Sequence, residues 1–278
     1  MLDTNVVTDL IQNDALRARF YEQTTARGLR VVVPVLVFSE YITRREAIRA
    51  EQAVRELAPL FAEHPTHVGD DLGAILFAEE NERLDETPTL QLDGVFEVLA
   101  STTASDEEYA KLLSKLDDYF AKDDMLELDR AARDEFPKRF DEATVADLDR
   151  VMEPFRERAL RGHFFEIATR YRNHRRAVRS RPSRYPATVM IASLHFLIAM
   201  GVSFAKIGYG RFQGPLRASK KGDWVDARIA ASAAYAAWLV TNDAGMTARV
   251  RHVTAAFGFG PRVGTLDELL STSTEPSE

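Results

Sequence analysis

The chain has 278 residues, no cysteine and a formal net charge of −7. The missing thiols exclude disulfides and thiolate metal sites and fit a reducing cytosol. The acidic balance excludes a general basic coat for nucleic acid, and the length suits one domain with an insertion.

Only Met1 and Leu2 precede Asp3. Either the first strand is very short or the true start lies upstream, and the second is favoured. No secretory signal is legible, because Asp3 and Asp9 interrupt the only candidate stretch. Val7, Leu10, Ile11 and Leu16 form the apolar stripe of a helix predicted over 6–26, ended by Gly28. Val31-Val32-Val33 is short, β-branched and apolar, as a buried parallel strand should be. Pro34 opens a helix at its first turn. That helix runs to about Phe61 and carries Glu40 about two turns in.

The middle reads as helical. Tyr109, Leu112, Leu113, Leu116 and Phe120 keep helical spacing, as do Val145, Leu148, Met152 and Phe155. Thr89–Leu92 is a candidate strand. The run from Ala187 to Ala205 invites a membrane test, but Ser193, His195 and Ser203 interrupt it. A spanning helix wants about 20 apolar residues, so a buried core helix is expected and no membrane contact. From Asp106 to Glu153 acids clearly outnumber bases, whereas Arg170 to Arg184 holds seven arginines and no acid. That basic run fits either a phosphate-contacting face or a solvated flank paired with the acidic segment.

Near Lys220 the core resumes. Asp226, Ile229, Ala230, Ala233 and Ala237 make a helical stripe of mostly small residues. Trp238–Thr241 is the next strand, Asn242–Gly245 a turn, and a helix follows from Met246. Arg262–Thr265 is a candidate edge strand before a closing helical turn at Leu266–Leu270, and the tail from Ser271 is expected to be disordered. The domain reading is therefore 1–62 and 215–270 as two parts of one α/β core, 63–214 as a helical insertion and 271–278 as a tail.

Four acids follow these apolar runs: Asp3, Glu40, Asp226 and Asp243. Singly, each has an ordinary structural explanation. Asp3 suits an N-cap, Glu40 an i,i+4 pair with Arg44, and Asp243 a turn. Asp223 suits a helix cap, with Asp226 completing a capping-box-like pattern. Together they are harder to dismiss. Asp3 and Asp243 close strands, and Glu40 and Asp226 sit early on helices leaving the same edge, where ligands of open α/β sheets bind. Four carboxylates in one crevice repel without a cation, and all-oxygen ligands suit Mg²⁺ or Mn²⁺. Such a metal lowers the pKa of a bound water and stabilises charge on a phosphoryl oxygen.

In order and in neighbours, Leu2-Asp3-Thr4-Asn5, Ser39-Glu40, Asp226 with Ile229-Ala230-Ala231, and Leu239-Val240-Thr241-Asn242-Asp243 resemble the motifs of PIN-domain nucleases. That family includes many toxin ribonucleases of toxin–antitoxin pairs. The resemblance covers roughly residues 1–60 and 218–270; small members lack the long middle. It implies a three-layer α/β/α core with a mostly parallel sheet. It also implies Mg²⁺- or Mn²⁺-dependent hydrolysis of phosphodiester bonds, usually in RNA, by a cytoplasmic protein. Asp3, Glu40, Asp226 and Asp243 become the metal-binding and catalytic acids, with Asn5 and Thr241 as polar neighbours that orient a ligand oxygen or a carboxylate. Asp223 is either a further acid of the site or the helix cap, and the cap is favoured. An antitoxin protein and a homo-oligomer are candidate assemblies.

Arg211, Arg217, Lys220 and Lys221, with the arginines of 170–184, are candidate phosphate contacts. Tyr209, Phe212 and Trp224 are candidate base stackers, Trp224 being better suited to the core. Two other readings stay open. Asp3 with Gly222-Asp223-Trp224-Val225-Asp226 also resembles haloacid-dehalogenase-type phosphatases, although Asn5 stands where those carry a second aspartate. A non-catalytic RNA- or protein-binding module on the same fold is the other. The histidines offer no rival site. His64 and His67 flank Pro65 and lack a third ligand, so they read as exposed loop residues, and His195 reads as a core histidine. Gly208-Tyr209-Gly210 lacks the rest of a nucleotide-binding pattern.

Overall fold

The computed structural model describes residues 1–43, 50–62, 66–81, 105–108, 111, 155–169, 172–206 and 222–271. Over these the chain is mostly helical with a few short parallel strands, a mixed α/β fold. Two helices, α1 (Thr4–Gln12) and α2 (Asp14–Ala26), replace the single one predicted over 6–26. The break falls at Asn13, whose side chain accepts from Leu16 N (3.0 Å) and caps α2. Beyond α2, Gly28 turns the chain at φ 61°, a conformation glycine adopts at no steric cost.

All four residues of β1 (Val31–Pro34) are buried. Pro34 is the last residue of this strand rather than the first of a helix. α3 (Val35–Thr43) starts directly after it, so Glu40 lies about one and a half turns in. α4 (Ala50–Ala62) carries on the stretch predicted as one helix; residues 44–49 lie outside the described residues. A second strand, β2 (Thr66–Gly69), pairs in parallel with β1, Val31 facing Thr66 and Pro34 facing Gly69. No strand is predicted here. His67 is therefore a half-buried strand residue opposite Val32, not an exposed loop histidine. β2 lies within the stretch read as the insertion, yet its ladder joins it to β1. α5 (Leu72–Glu80) follows, capped by Asp71 through Gly73 N (3.1 Å).

The described middle comprises α6 (Phe155–Ala159), α7 (His163–Ala168), α8 (Arg172–Ser180), a 3₁₀ turn at Pro182–Arg184, and α9 (Pro186–Lys206). The chain closes with α10 (Asp223–Ser232), β3 (Trp238–Val240), α11 (Ala244–Phe257), β4 (Arg262–Gly264) and α12 (Leu266–Ser271). α9 is the buried helix that its apolar run predicts. Val189, Met190, Ala192 and Leu197 are fully enclosed, and it packs against α5, α7, α10 and α11. Among the described residues no helix is long and apolar enough to cross a membrane. On α10 the small face is Ile229 and Ala230, and fully buried Ala233 caps its end; Ala237 lies past the helix and is exposed, outside the predicted stripe. α11 starts two residues before the predicted Met246, and Gly258 ends it at φ 76°. Ser271 belongs to α12 rather than to a tail.

β3 and β4 pair in parallel, Leu239 facing Val263. The two strand pairs meet at Met1–Asp3. Leu2 N donates to Val32 O (3.0 Å) on one side. On the other, Asp3 N donates to Val240 O and Val240 N to Met1 O (both 3.0 Å), closing a parallel bridge. Met1–Asp3 is thus central, in the order β2, β1, Met1–Asp3, β3, β4. The Met1 amino group donates to Trp238 O (2.7 Å), and burial pulls its pKa down to about 5. Beside it, at the edge where the strands begin, a cavity of about 230 Å³ opens between Phe20, Thr24, Leu29, Val31 and Trp238.

The predicted strand at Thr89–Leu92 lies outside the described residues. So do Tyr109, Leu112, Leu113, Leu116, Phe120, Val145, Leu148 and Met152 of the predicted helices, His64, Gly208–Gly210, and the tail from residue 272.

Candidate functional site

At the opposite edge, where the strands end, five acids come together. Asp3 ends the central strand and is buried; its Oδ1 accepts from Thr4 N (2.8 Å) and its Oδ2 from the Thr241 hydroxyl (2.8 Å). Thr241 follows β3, and its hydroxyl oxygen also accepts from Asp243 N (3.0 Å). One side chain therefore ties the two strand-end acids together. Asp243 caps α11 through Met246 N (2.6 Å). Glu40, on α3, accepts a hydrogen bond from the Thr4 hydroxyl, which brings the exit of β1 to the same edge.

Asp226 lies at the focus. Burial pushes its carboxyl pKa up to about 8, and the charges of Asp3, Glu40, Asp243 and Asp223 add to the rise. Among the described residues, no cation stands among the groups acting on it. Its side chain makes no hydrogen bond or ion pair among the described residues. The capping explanations and the convergence are therefore both true: Asp3 and Asp243 are helix caps, and they also face Asp226.

Asp223 is not the cap that the sequence favours. Gly222 holds the N-cap position at φ 114°, where no side chain caps the helix. Asp223 instead forms a buried ion pair with Arg249 of α11 (2.9 Å). That pair joins α10, which carries Asp226, to α11, which Asp243 caps. A buried charge left without its partner is costly, so the pair also holds the helices in register. Thr4 and Arg249 thus position acids of the site. Thr4 is visible beside Asp3 in the sequence, but Arg249 follows Asp243 by six residues with nothing to mark its partner.

β2 brings two further acids to this edge, Asp70 and Asp71. Asp71 pairs with Arg228 of α10 (3.3 Å). Asp70 has its pKa raised by burial and then by Asp71. Neither stands out in the sequence, because the strand before them is itself illegible there.

Asn5 is exposed in the first turn of α1. Trp224 is buried against Phe164 (5.9 Å) and His195 (5.0 Å), so it belongs to the core and is not free to stack a base. His195 is buried in the same cluster, where desolvation, then the charge of Arg228, pulls its pKa down to about 3 and keeps the ring neutral. Arg211, Arg217, Lys220, Lys221, Tyr209 and Phe212 lie outside the described residues. The arginines of α8 and the following turn are not brought to the carboxylates. They precede the start of α9, whose first amides bind Glu79 at the far end of α5, together with Tyr235 past the far end of α10.

The donor chemistry of the acids suits a hard divalent cation. Among the described residues, however, no three acids or histidines are gathered as a ready coordination shell. In Thr241→Val, Asp3 Oδ2 and Asp243 N each lose a partner in a buried place. The expected loss is roughly 1–3 kcal/mol in urea unfolding; a shift below about 0.5 kcal/mol would show that water replaces the hydroxyl.

No family model, curated protein or solved structure matches the chain.

Proposed function

We propose that this protein is a PIN-like, metal-dependent nuclease that hydrolyses phosphodiester bonds in RNA. The observation that carries the reading is the convergence of Asp3, Glu40, Asp243 and Asp223 on Asp226, with no cation acting on Asp226 itself among the described residues. Asp3, Glu40, Asp226 and Asp243 would hold Mg²⁺ or Mn²⁺. A cation bound there would polarise a phosphoryl oxygen and lower the pKa of a water.

The chain's own residues do the rest. Thr241 holds Asp3 and Asp243 in fixed relation, and Thr4 holds Glu40. Without a cation, the Asp226 carboxyl keeps its proton at neutral pH, which relieves the repulsion. The Asp223–Arg249 pair keeps Asp223 neutralised beside the site. Parallel strands sharing one C-terminal edge support a three-layer PIN-like core. A toxin role, an antitoxin partner and a cytoplasmic location belong to the same reading.

A second reading, a non-catalytic binding module on this fold, draws on the capping roles of Asp3 and Asp243 and on the lack of a gathered three-ligand set. One experiment separates the two. A mixed pool of structured and single-stranded RNA is incubated with Mg²⁺, Mn²⁺ or EDTA, using wild type and Asp243→Asn. Metal-dependent cleavage that disappears in the variant is expected. If neither protein cleaves and neither melting temperature responds to metal, the nuclease reading falls and the binding module takes its place.

A further inference from the structure

The helix α8 (Arg172–Ser180) breaks the ordinary rules of helix stability. Arg172 and Arg176 are i,i+4 neighbours, as are Arg175 and Arg179, and like charges at that spacing repel. Its first turn holds arginine and no acid, so positive side chains crowd the positive end of the helix dipole. Packing holds the helix in place all the same. His174 and Val178 are buried, and His174 meets Tyr185 edge-on (5.1 Å). Arg179 donates to Leu160 O (2.9 Å) and lies over Phe165, while Arg175 donates to Thr169 O and pairs with Glu166 (3.5 Å).

That leaves Arg172, Arg176 and Arg181. All three are exposed, and their guanidinium groups make no ion pair or hydrogen bond among the described residues. Local rules broken without a compensating contact are expected at functional surfaces. From 172 to 205 every basic side chain other than the buried His174 and His195 is arginine. The planar guanidinium fork matches phosphate better than an ammonium does.

We infer that this arginine face docks the phosphate backbone of an RNA long enough to reach the carboxylate edge as well. The RNA identity rests on the nuclease reading; the cationic face does not. From Asp226 to Ser232 at its far end, α10 runs six residues, about 9 Å at 1.5 Å per residue. With one phosphate per ~3.4 Å of each strand, the substrate must extend at least about three base pairs beyond the cleaved bond. A dinucleotide would engage the acids alone.

The test is fluorescence anisotropy of a labelled RNA hairpin with a stem of about 20 base pairs, in EDTA, across a salt series. It uses the full chain and its Arg172→Gln/Arg176→Gln/Arg181→Gln variant. The variant should bind at least tenfold more weakly at low salt, with a salt slope shallower by about two to three. Its melting temperature should hold or rise, because like-charge repulsion is relieved. Equal binding by both proteins, or no salt-dependent RNA binding by wild type, overturns the inference. So does arginine-dependent binding of a labelled polyglutamate in preference to the RNA, which would assign the face to an acidic protein. Arginine-dependent RNA binding with no metal-dependent cleavage keeps this inference and removes the nuclease reading; cleavage with arginine-independent binding does the reverse.

Discussion

In the metal-free protein, Asp226→Asn should be stabilising, and the more so the higher the pH. The unfolded carboxyl titrates near the ordinary aspartate value of 3.8, whereas in the folded chain burial and its acidic neighbours move it to about 8. Between those values the folded state holds a proton that the unfolded state has released. Stability from this group therefore falls as pH rises through the window and levels off above it. At about 1.4 kcal/mol per pH unit, the penalty approaches an order of 5 kcal/mol at pH 8 and about 1–2 kcal/mol at pH 5. Asparagine cannot ionise and escapes it. Thermal melts in EDTA should show the variant about 10 °C or more above wild type at pH 8 and much closer at pH 5. Mg²⁺ or Mn²⁺ should raise the wild-type melting temperature at pH 8 and leave Asp226→Asn nearly unmoved. Parallel pH curves for the two proteins would mean that the carboxylates do not share one field.

Glu79→Ala should be the reverse, a severe loss. Glu79 is buried at 1% exposure. Its carboxylate accepts from Ala187 N (2.7 Å), Thr188 N (2.8 Å), the Thr188 hydroxyl (2.6 Å) and the Tyr235 hydroxyl (2.7 Å). A carboxylate from α5 thus caps the 21-residue helix α9, where the helix dipole favours a negative charge. Burial raises its pKa, and the hydrogen bonds only partly oppose that rise. Alanine leaves four donors without an acceptor, three of them buried, each buried one costing about 1–3 kcal/mol less whatever water recovers. Urea unfolding should lose on the order of 4 kcal/mol or more. Glu79→Gln should fall between, since its amide group faces donors. A loss under about 1 kcal/mol for alanine would mean that α9 does not depend on this cap.

These two residues differ in how far the sequence reveals them. Asp226 is legible because its neighbours are: an acid early on a helix, close to the strand Trp238–Val240. Local pattern also reveals β1, β3 and the buried α9, since each is an apolar run with clear ends. Glu79 is illegible because its partners lie 108 and 156 positions away. Arg249 is hidden for the same reason, its partner being across two helices. β2 has only Val68 as a strongly apolar residue, so the β1 ladder rather than its own composition makes it a strand. Asn13 is the contrary case. An Asn-Asp pair is an ordinary helix start, and the periodic stripe running through it disguises the break.

The central position of Met1–Asp3 has a consequence for synthesis. This segment pairs with a residue 237 positions later. At roughly 5–20 residues per second, it waits on the order of 10–50 s for its second neighbour to leave the ribosome. β1 and β2 can pair early, being close in sequence, but Asp3 and Glu40 meet Asp226 and Asp243 only once Asp243, 203 positions after Glu40, has been made. A nascent chain therefore carries half of the carboxylates and none of the assembled cluster. Whatever the cluster does, it does only after Asp243 has left the ribosome.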